Sequence, residues 1–141
     1  MIVRSNVQVF IFTRNPLFKV LILKRTAERG GFWQPLSGGI EKGEDYNDTI
    51  KREVYEETGI KEIIRIIDLN YNFTYKTSKN KEFKKMKDFC FAVEINKEKE
   101  IQLSYEHEEF LWCSQNEVKN QLKWKYNLIA YNKLLKILNI K

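Results

Sequence analysis

GGIEKGEDYNDTIKREVYEETGI, residues 38 to 60, is the stretch on which the reading of this chain turns. Its spacing predicts a helix from about Asp45 to Thr58, stopped by Gly59 at the position where a left-handed residue closes a helix. At about 100° per residue, Ile50 and Val54 share one stripe, and Glu53, Glu56 and Glu57 fan out along its flank. Three carboxylates so close together repel and raise one another's pKa, which makes the arrangement poor as plain structure. A divalent cation resolves the conflict. Oxygen-only ligands select a hard ion, Mg²⁺ or Mn²⁺ rather than zinc, and Mg²⁺ is typically completed by phosphate and water. Gly38 and Gly39 read as a turn whose missing Cβ atoms let the backbone approach a ligand. Arg52, four residues before Glu56, is placed to pair with that carboxylate, and Glu44 lies near the positive end of the helix. Both are read as orienting the metal-binding groups rather than as ligands.

Outward from this segment, Val7, Val9 and Ile11 alternate with Gln8, Phe10 and Phe12, and Val20 to Leu23 follow a turn at Asn15-Pro16, which predicts two strands. Thr26 to Gly31 reads as a loop, with Phe32-Trp33-Gln34 a short extended piece. Ile63 to Tyr75 and Phe83 to Ile95 predict long strands separated by a loop at Lys76 to Lys81. Phe110 to Trp112 reads as a short strand, and Trp124 to Leu138 as a helix with Leu128, Tyr131, Leu134, Leu135 and Leu138 on one side. Strands, helix, strands and helix in this order point to a mixed sheet covered by helices.

At 141 residues the chain suits one domain, residues 1 to 141, and no apolar run nears the length of a membrane span. The N-terminus lacks the pattern of a leader, so a cytoplasmic location is expected. Cys90 and Cys113 sit in apolar surroundings with no metal-ligand spacing, and read as buried thiols. The net charge of +6 suits nucleic acid, an anionic surface or a polyphosphate equally. The signs are separated: acidic residues dominate between Glu41 and Glu57, whereas Lys76 to Lys87 and the C-terminal third are basic.

Residues 38 to 60 match the Nudix signature at every constrained position: Gly38, then Glu44, then Arg52-Glu53-Val54-x-Glu56-Glu57-x-Gly59-Ile60. The chain therefore resembles Nudix hydrolases. That resemblance implies an α/β/α sandwich and Mg²⁺-dependent attack of water on one phosphorus of a diphosphate, with a triphosphate yielding a monophosphate and pyrophosphate. It also implies metal ligation by the Gly38 carbonyl, Glu53, Glu56 and Glu57. Phe32-Trp33-Gln34-Pro35-Leu36-Ser37-Gly38-Gly39 and Glu106-His107-x4-Trp112 are similar to the branch holding bacterial dihydroneopterin triphosphate and dATP pyrophosphohydrolases. The branch implies Glu106 as a metal ligand outside the box, and Arg25 and Ser37 as substrate contacts. Glu53, Glu56 and Glu106 are then the catalytic carboxylates, with Glu53 or Glu106 taking the proton from water. His107, the single histidine, is expected to pack or to orient Glu106, and Trp33 to stack on a base or pterin ring. Trp112 and Trp124 read as packing residues, though Trp124 opens the last helix near where this branch closes its base pocket.

The partner implied is a nucleoside or pterin triphosphate. Rival readings are a diadenosine tetraphosphate hydrolase, an 8-oxo-dGTP hydrolase and an RNA 5′ pyrophosphohydrolase, the last kept open by the positive charge. From another class, a nucleotide-sensing module is disfavoured by the intact glutamates.

Overall fold

The alternating residues near the N-terminus form β1 (Arg4–Thr13), which is covered on both faces. Phe10 and Phe12 enter one apolar cluster and Val7, Val9 and Ile11 the other. A computed structural model describes residues 4–79 and 82–141 of the chain. Elements β2 (Lys19–Arg25), β3 (Trp33–Gln34), β4 (Leu36–Gly39), α1 (Tyr46–Thr58), β5 (Arg65–Lys79), β6 (Glu82–Glu94), β7 (His107–Cys113), α2 (Gln115–Gln121) and α3 (Lys125–Ile137) follow in that order. The sheet runs β3-β2-β1-β6-β5, with β4 paired to β1 and β7 to β2. It is mixed: β1 and β6 are parallel and the other pairings antiparallel.

Helix α1 buries Ile50 and Val54 against Val7, Val9 and Ile11, while α3 buries Ala130, Tyr131, Leu134 and Leu135 against Phe10 and Phe12. Each helix seals one face of the sheet, which gives the expected α/β/α sandwich. Both of its predicted boundaries hold for α1. Asp45 caps it, its side chain accepting from the Asp48 backbone amide at 2.8 Å, and Gly59 ends it at φ 80°. Cys90 and Cys113 are free and buried. Among the described residues no helix is long and apolar enough to cross a membrane.

Three readings change. Ser37, Gly38 and Gly39 are not a turn but strand β4, hydrogen-bonded to β1 with Gly38 opposite Val7 and Gly39 opposite Asn6. The missing Cβ atoms serve a close approach as expected, here to side chains of the fold: a Cβ on Gly38 would collide with the Glu53 carboxylate, and one on Gly39 with the Arg4 guanidinium. The expected loop at Lys76 to Lys81 is largely ladder, because β5 continues to Lys79 and β6 begins at Glu82. Residues 80 and 81 lie outside the described part. Helix α2 went unread although Ser114 and Glu117 form a capping box ahead of buried Val118.

Strand β1 changes partner along its length, from β2 at Ile11–Thr13 to β4 at Asn6–Val9. This parts the far end of β2 from β1. The cleft so opened carries Arg25, Gln34, Ser37 and Gln8 on its walls.

At the opposite end of β1, Glu94 joins Arg14 at 3.0 Å and Arg65 at 2.9 Å, tying the β1–β2 connection to the start of β5. Burial alone would raise its pKa, but the hydrogen bonds from the two arginines outweigh burial and hold the carboxyl below its ordinary range. Glu94→Gln is expected to lower stability in urea by about 1–2 kcal/mol at pH 7, since both arginines are half exposed. Because the folded pKa lies below the unfolded value of about 4.3, the pair's contribution is complete above that value and fades as pH falls through the folded pKa. The cost of the substitution should therefore shrink below about pH 4, where both carboxyl states take up a proton.

Candidate functional site

On α1, Glu53 and Glu57 sit at the rim of the buried stripe and are themselves buried, whereas Glu56 is half exposed. All three line one cavity of about 1020 Å³. Arg52 holds the cluster together. Its guanidinium donates twice to Glu44 (2.7 and 2.9 Å), and to Glu53 at 2.8 Å, Glu56 at 3.3 Å and the Gly39 carbonyl at 2.8 Å. The fork geometry of arginine makes so many simultaneous bonds possible. Bonding to Arg52 pulls Glu44 down to about 2, and Thr49 Oγ1 adds a further bond at 2.9 Å. Glu53 moves the other way: burial pushes it up to about 6 against the opposing pull of Arg52.

Glu57 accepts from Ser104 Oγ and meets His107 Nδ1 at 3.2 Å. Burial alone would raise Glu57, but the His107 and Ser104 hydrogen bonds prevail and hold it below the ordinary range. Glu106 is raised by burial and then by the neighbouring Glu57 charge, with Arg29 opposing at 3.8 Å. Ligand atoms of Glu57, Glu106 and His107 fall within 4.8 Å of one another.

Arg25 and a wall of aromatic rings line the same cavity. Arg25 is partly buried, lies 5.7 Å from the Phe32 ring centre, and has an Nε that is buried without a hydrogen-bond partner. Burial lowers its pKa, so an anion brought close to it would restore what solvent no longer supplies. The wall comprises Phe73 stacked on Tyr126 at 4.2 Å, Trp124 parallel to Tyr126 at 6.4 Å, and Phe32 edge-on to Trp124 at 6.0 Å. Beneath it lie Asn6, Gln8, Asp88 and Asn127, all buried and all lining the cavity.

The donor set suits a hard cation: carboxylate oxygens converge at one end, and the Gly38 backbone lies directly against the Glu53 carboxylate in a cradle that any Cβ would fill. His107 Nδ1 is engaged with Glu57, and its Nε2 faces the Gln34 amide at 3.4 Å, so the ring orients rather than offers a free ligand atom.

The NUDIX domain model matches residues 4–132. The chain belongs to the NUDIX family. Over 99 residues it is 34% identical to an octanoyltransferase from Myxococcus xanthus, a match that covers 70% of this chain and 27% of that protein. The chain thus spans about a quarter of that relative's length. Over 142 residues it is 30% identical to a dihydroneopterin triphosphate diphosphatase from Haemophilus influenzae, covering 93% of this chain and 87% of that one. A solved NUDIX hydrolase from Listeria monocytogenes superposes with a TM-score of 0.79 at 27% identity, covering 96% of this chain and 94% of the other.

The residues singled out in the NUDIX sequence fall into two groups. Gly38, Glu53, Glu56, Glu57, Glu106, Arg25 and Ser37 all line one cleft, and Arg52 lines it while bonding Glu44. Trp33 does not. It packs on the apolar cluster of Phe10 and Phe12, because strand alternation sends Phe32 and Gln34 into the cavity and Trp33 away from it. His107 touches Glu57 rather than Glu106. Trp112 packs as expected, donating Nε1 to the Lys99 carbonyl at 2.9 Å, while Trp124 belongs to the cavity wall.

Ser104, Phe73, Tyr75, Tyr126, Asn127, Asp88, Gln8 and Asn6 also line the cavity, and no motif in the sequence points to them. Alternation alone would have caught some of them: Gln8 and Asn6 share the face of Phe10 and Phe12, and Tyr71, Phe73 and Tyr75 alternate onto that same side of the sheet.

Proposed function

We propose that this NUDIX domain hydrolyses a diphosphate linkage in a nucleoside or pterin triphosphate, releasing a monophosphate and pyrophosphate. The observation that carries this reading is one cleft lined by buried carboxylates, a partly buried arginine whose Nε has no partner, and an aromatic wall. Glu53, Glu56, Glu57, Glu106 and the Gly38 carbonyl are the groups that would hold Mg²⁺ or Mn²⁺. The ion, when bound, supplies an acidified water and offsets charge on the bridging oxygen. The protein's own part is positional. Arg52 fixes Glu53 and Glu56; His107 and Ser104 fix Glu57; Arg25 and Ser37 take phosphate oxygens; the aromatic wall takes the ring. Glu53 or Glu106, each raised by burial, is poised to accept the water's proton.

The full-length match to a relative named as a dihydroneopterin triphosphate diphosphatase favours a triphosphate over a dinucleoside polyphosphate or an RNA 5′ end. The test is incubation with Mg²⁺ and a panel of dNTPs, dihydroneopterin triphosphate, diadenosine tetraphosphate and 5′-triphosphorylated RNA. Pyrophosphate is expected from at least one nucleoside or pterin triphosphate, and none after EDTA. Release from RNA or the dinucleotide alone would move the substrate class. No product from any of them would make the domain a nucleotide sensor.

A further inference from the structure

The floor of the cavity is a chain of hydrogen bonds with a fixed direction. Asp88 lies beside Asn6 on paired strands, and its Oδ1 accepts from Asn6 Nδ2 at 2.9 Å and Tyr75 OH at 3.2 Å. The Gln8 side chain also lies near this carboxylate and favours its charged form. Gln8 then has its Oε1 turned the other way, where it accepts from Asn127 Nδ2 at 3.0 Å and meets Cys90 Sγ at 4.0 Å. Asn127 is only 3% exposed, and with its NH₂ given to Gln8 its Oδ1 is left buried and without a partner.

Every orientation in the chain follows from Asp88, which takes donors. It draws the nitrogen end of Gln8; Gln8 turns its oxygen to Asn127; Asn127 answers with nitrogen and is left displaying oxygen. Flipping Asn127 would set two carbonyl oxygens against each other. A buried acceptor without a donor is costly, and native folds rarely keep one except where a ligand or ion completes it. Asn127 lines the ligand cavity beside the stacked pair Tyr126 and Phe73.

We propose that Asn127 Oδ1 accepts an N–H from the edge of the bound ring, so the cavity selects an amino- or lactam-bearing purine or pterin over a ring of the same shape without an edge donor. Asp88 is then a positioning residue that acts through Gln8. The inference rests on the reading of this cleft as a nucleotide or pterin site and names what that site requires of the ring.

Sites built to hydrogen-bond a substrate group discriminate sharply against analogues lacking it. The measurement is equilibrium binding by calorimetry, without turnover, of dGMP, dAMP, neopterin monophosphate and the 5′-monophosphate of unsubstituted purine deoxyriboside. At least one donor-bearing ring is expected to bind about tenfold tighter than the unsubstituted purine. In Asn127→Leu that ratio should fall to within about threefold of one, and in Asp88→Asn it should fall in the same direction. A structural role alone would weaken all ligands together and leave the ratio in place. A ratio near one in the wild type overturns the proposal, as does an advantage that survives both substitutions. If Asn127→Leu fails to fold, the wild-type ratio and Asp88→Asn decide the matter. Because no hydrolysis is read, a failure to release pyrophosphate counts against the proposed reaction and not against this reading of the ring.

Discussion

Glu57→Gln is expected to abolish pyrophosphate release, by at least about 1,000-fold in kcat/KM, while the protein stays folded. The shape of the side chain is conserved, and the amide oxygen can still accept from Ser104 or His107, its neighbours in the fold. What disappears is the negative charge and the second oxygen. If the cluster holds a divalent ion as proposed, losing a charged ligand removes several kcal/mol of transition-state stabilisation, and about 4 kcal/mol corresponds to 1,000-fold. The thermal midpoint should move by only a few degrees, as for an isosteric change of about 1 kcal/mol. Initial rates with saturating Mg²⁺, together with a melting curve, check both halves. A rate like that of the wild type would mean that the ion is held without Glu57.

Arg52→Ala is expected to damage activity and stability at once. Glu44 and Glu53 are mostly buried and lean on the same guanidinium, which also caps the Gly39 carbonyl. Removing it leaves carboxylates facing one another with no counter-charge, at about 2–4 kcal/mol, reduced from the fully buried case because the arginine side chain keeps 23% of its exposure. With Glu53 released from its orientation, kcat/KM should fall about 100-fold or more. Arg52→Lys should recover little of either loss, because one ammonium cannot reproduce a two-point bond to Glu44 and still reach Gly39 and Glu53. Urea denaturation and steady-state rates of the two variants decide this. Near-complete rescue by lysine would show that charge alone suffices.

The parts of the site that the sequence made legible are those encoded within one element. Glu53, Glu56, Glu57 and Arg52 lie on a single helix, where spacing dictates which side chains meet, and Asp45 and Gly59 mark its ends by local chemistry. Two errors came from short segments. Gly38 and Gly39 look like a turn because glycine's freedom is a local property, while the crowding that demands glycine comes from Glu53 on α1 and Arg4 on β1. Trp33 looks like a stacking residue until the pairing of Lys24 with Trp33 and of Leu23 with Gln34 fixes which side faces the cavity. The floor was out of reach for a different reason: Gln8 and Asn127 are separated by 119 positions, and no local pattern joins them. The partner of His107, fifty positions back at Glu57, was hidden in the same way.

The acids and the ring wall come from different elements: the former from α1 and the segment before β7, the latter largely from β5 and the start of α3. A lineage carrying this fold can therefore replace Phe73, Tyr126 or Asn127 and acquire a new molecular preference without disturbing the helix that carries Glu53, Glu56 and Glu57. Descent would preserve the first and let the second drift. Two proteins that share residues 38 to 60 letter for letter can answer to different metabolites, and their divergence should be sought in β5 and the start of α3.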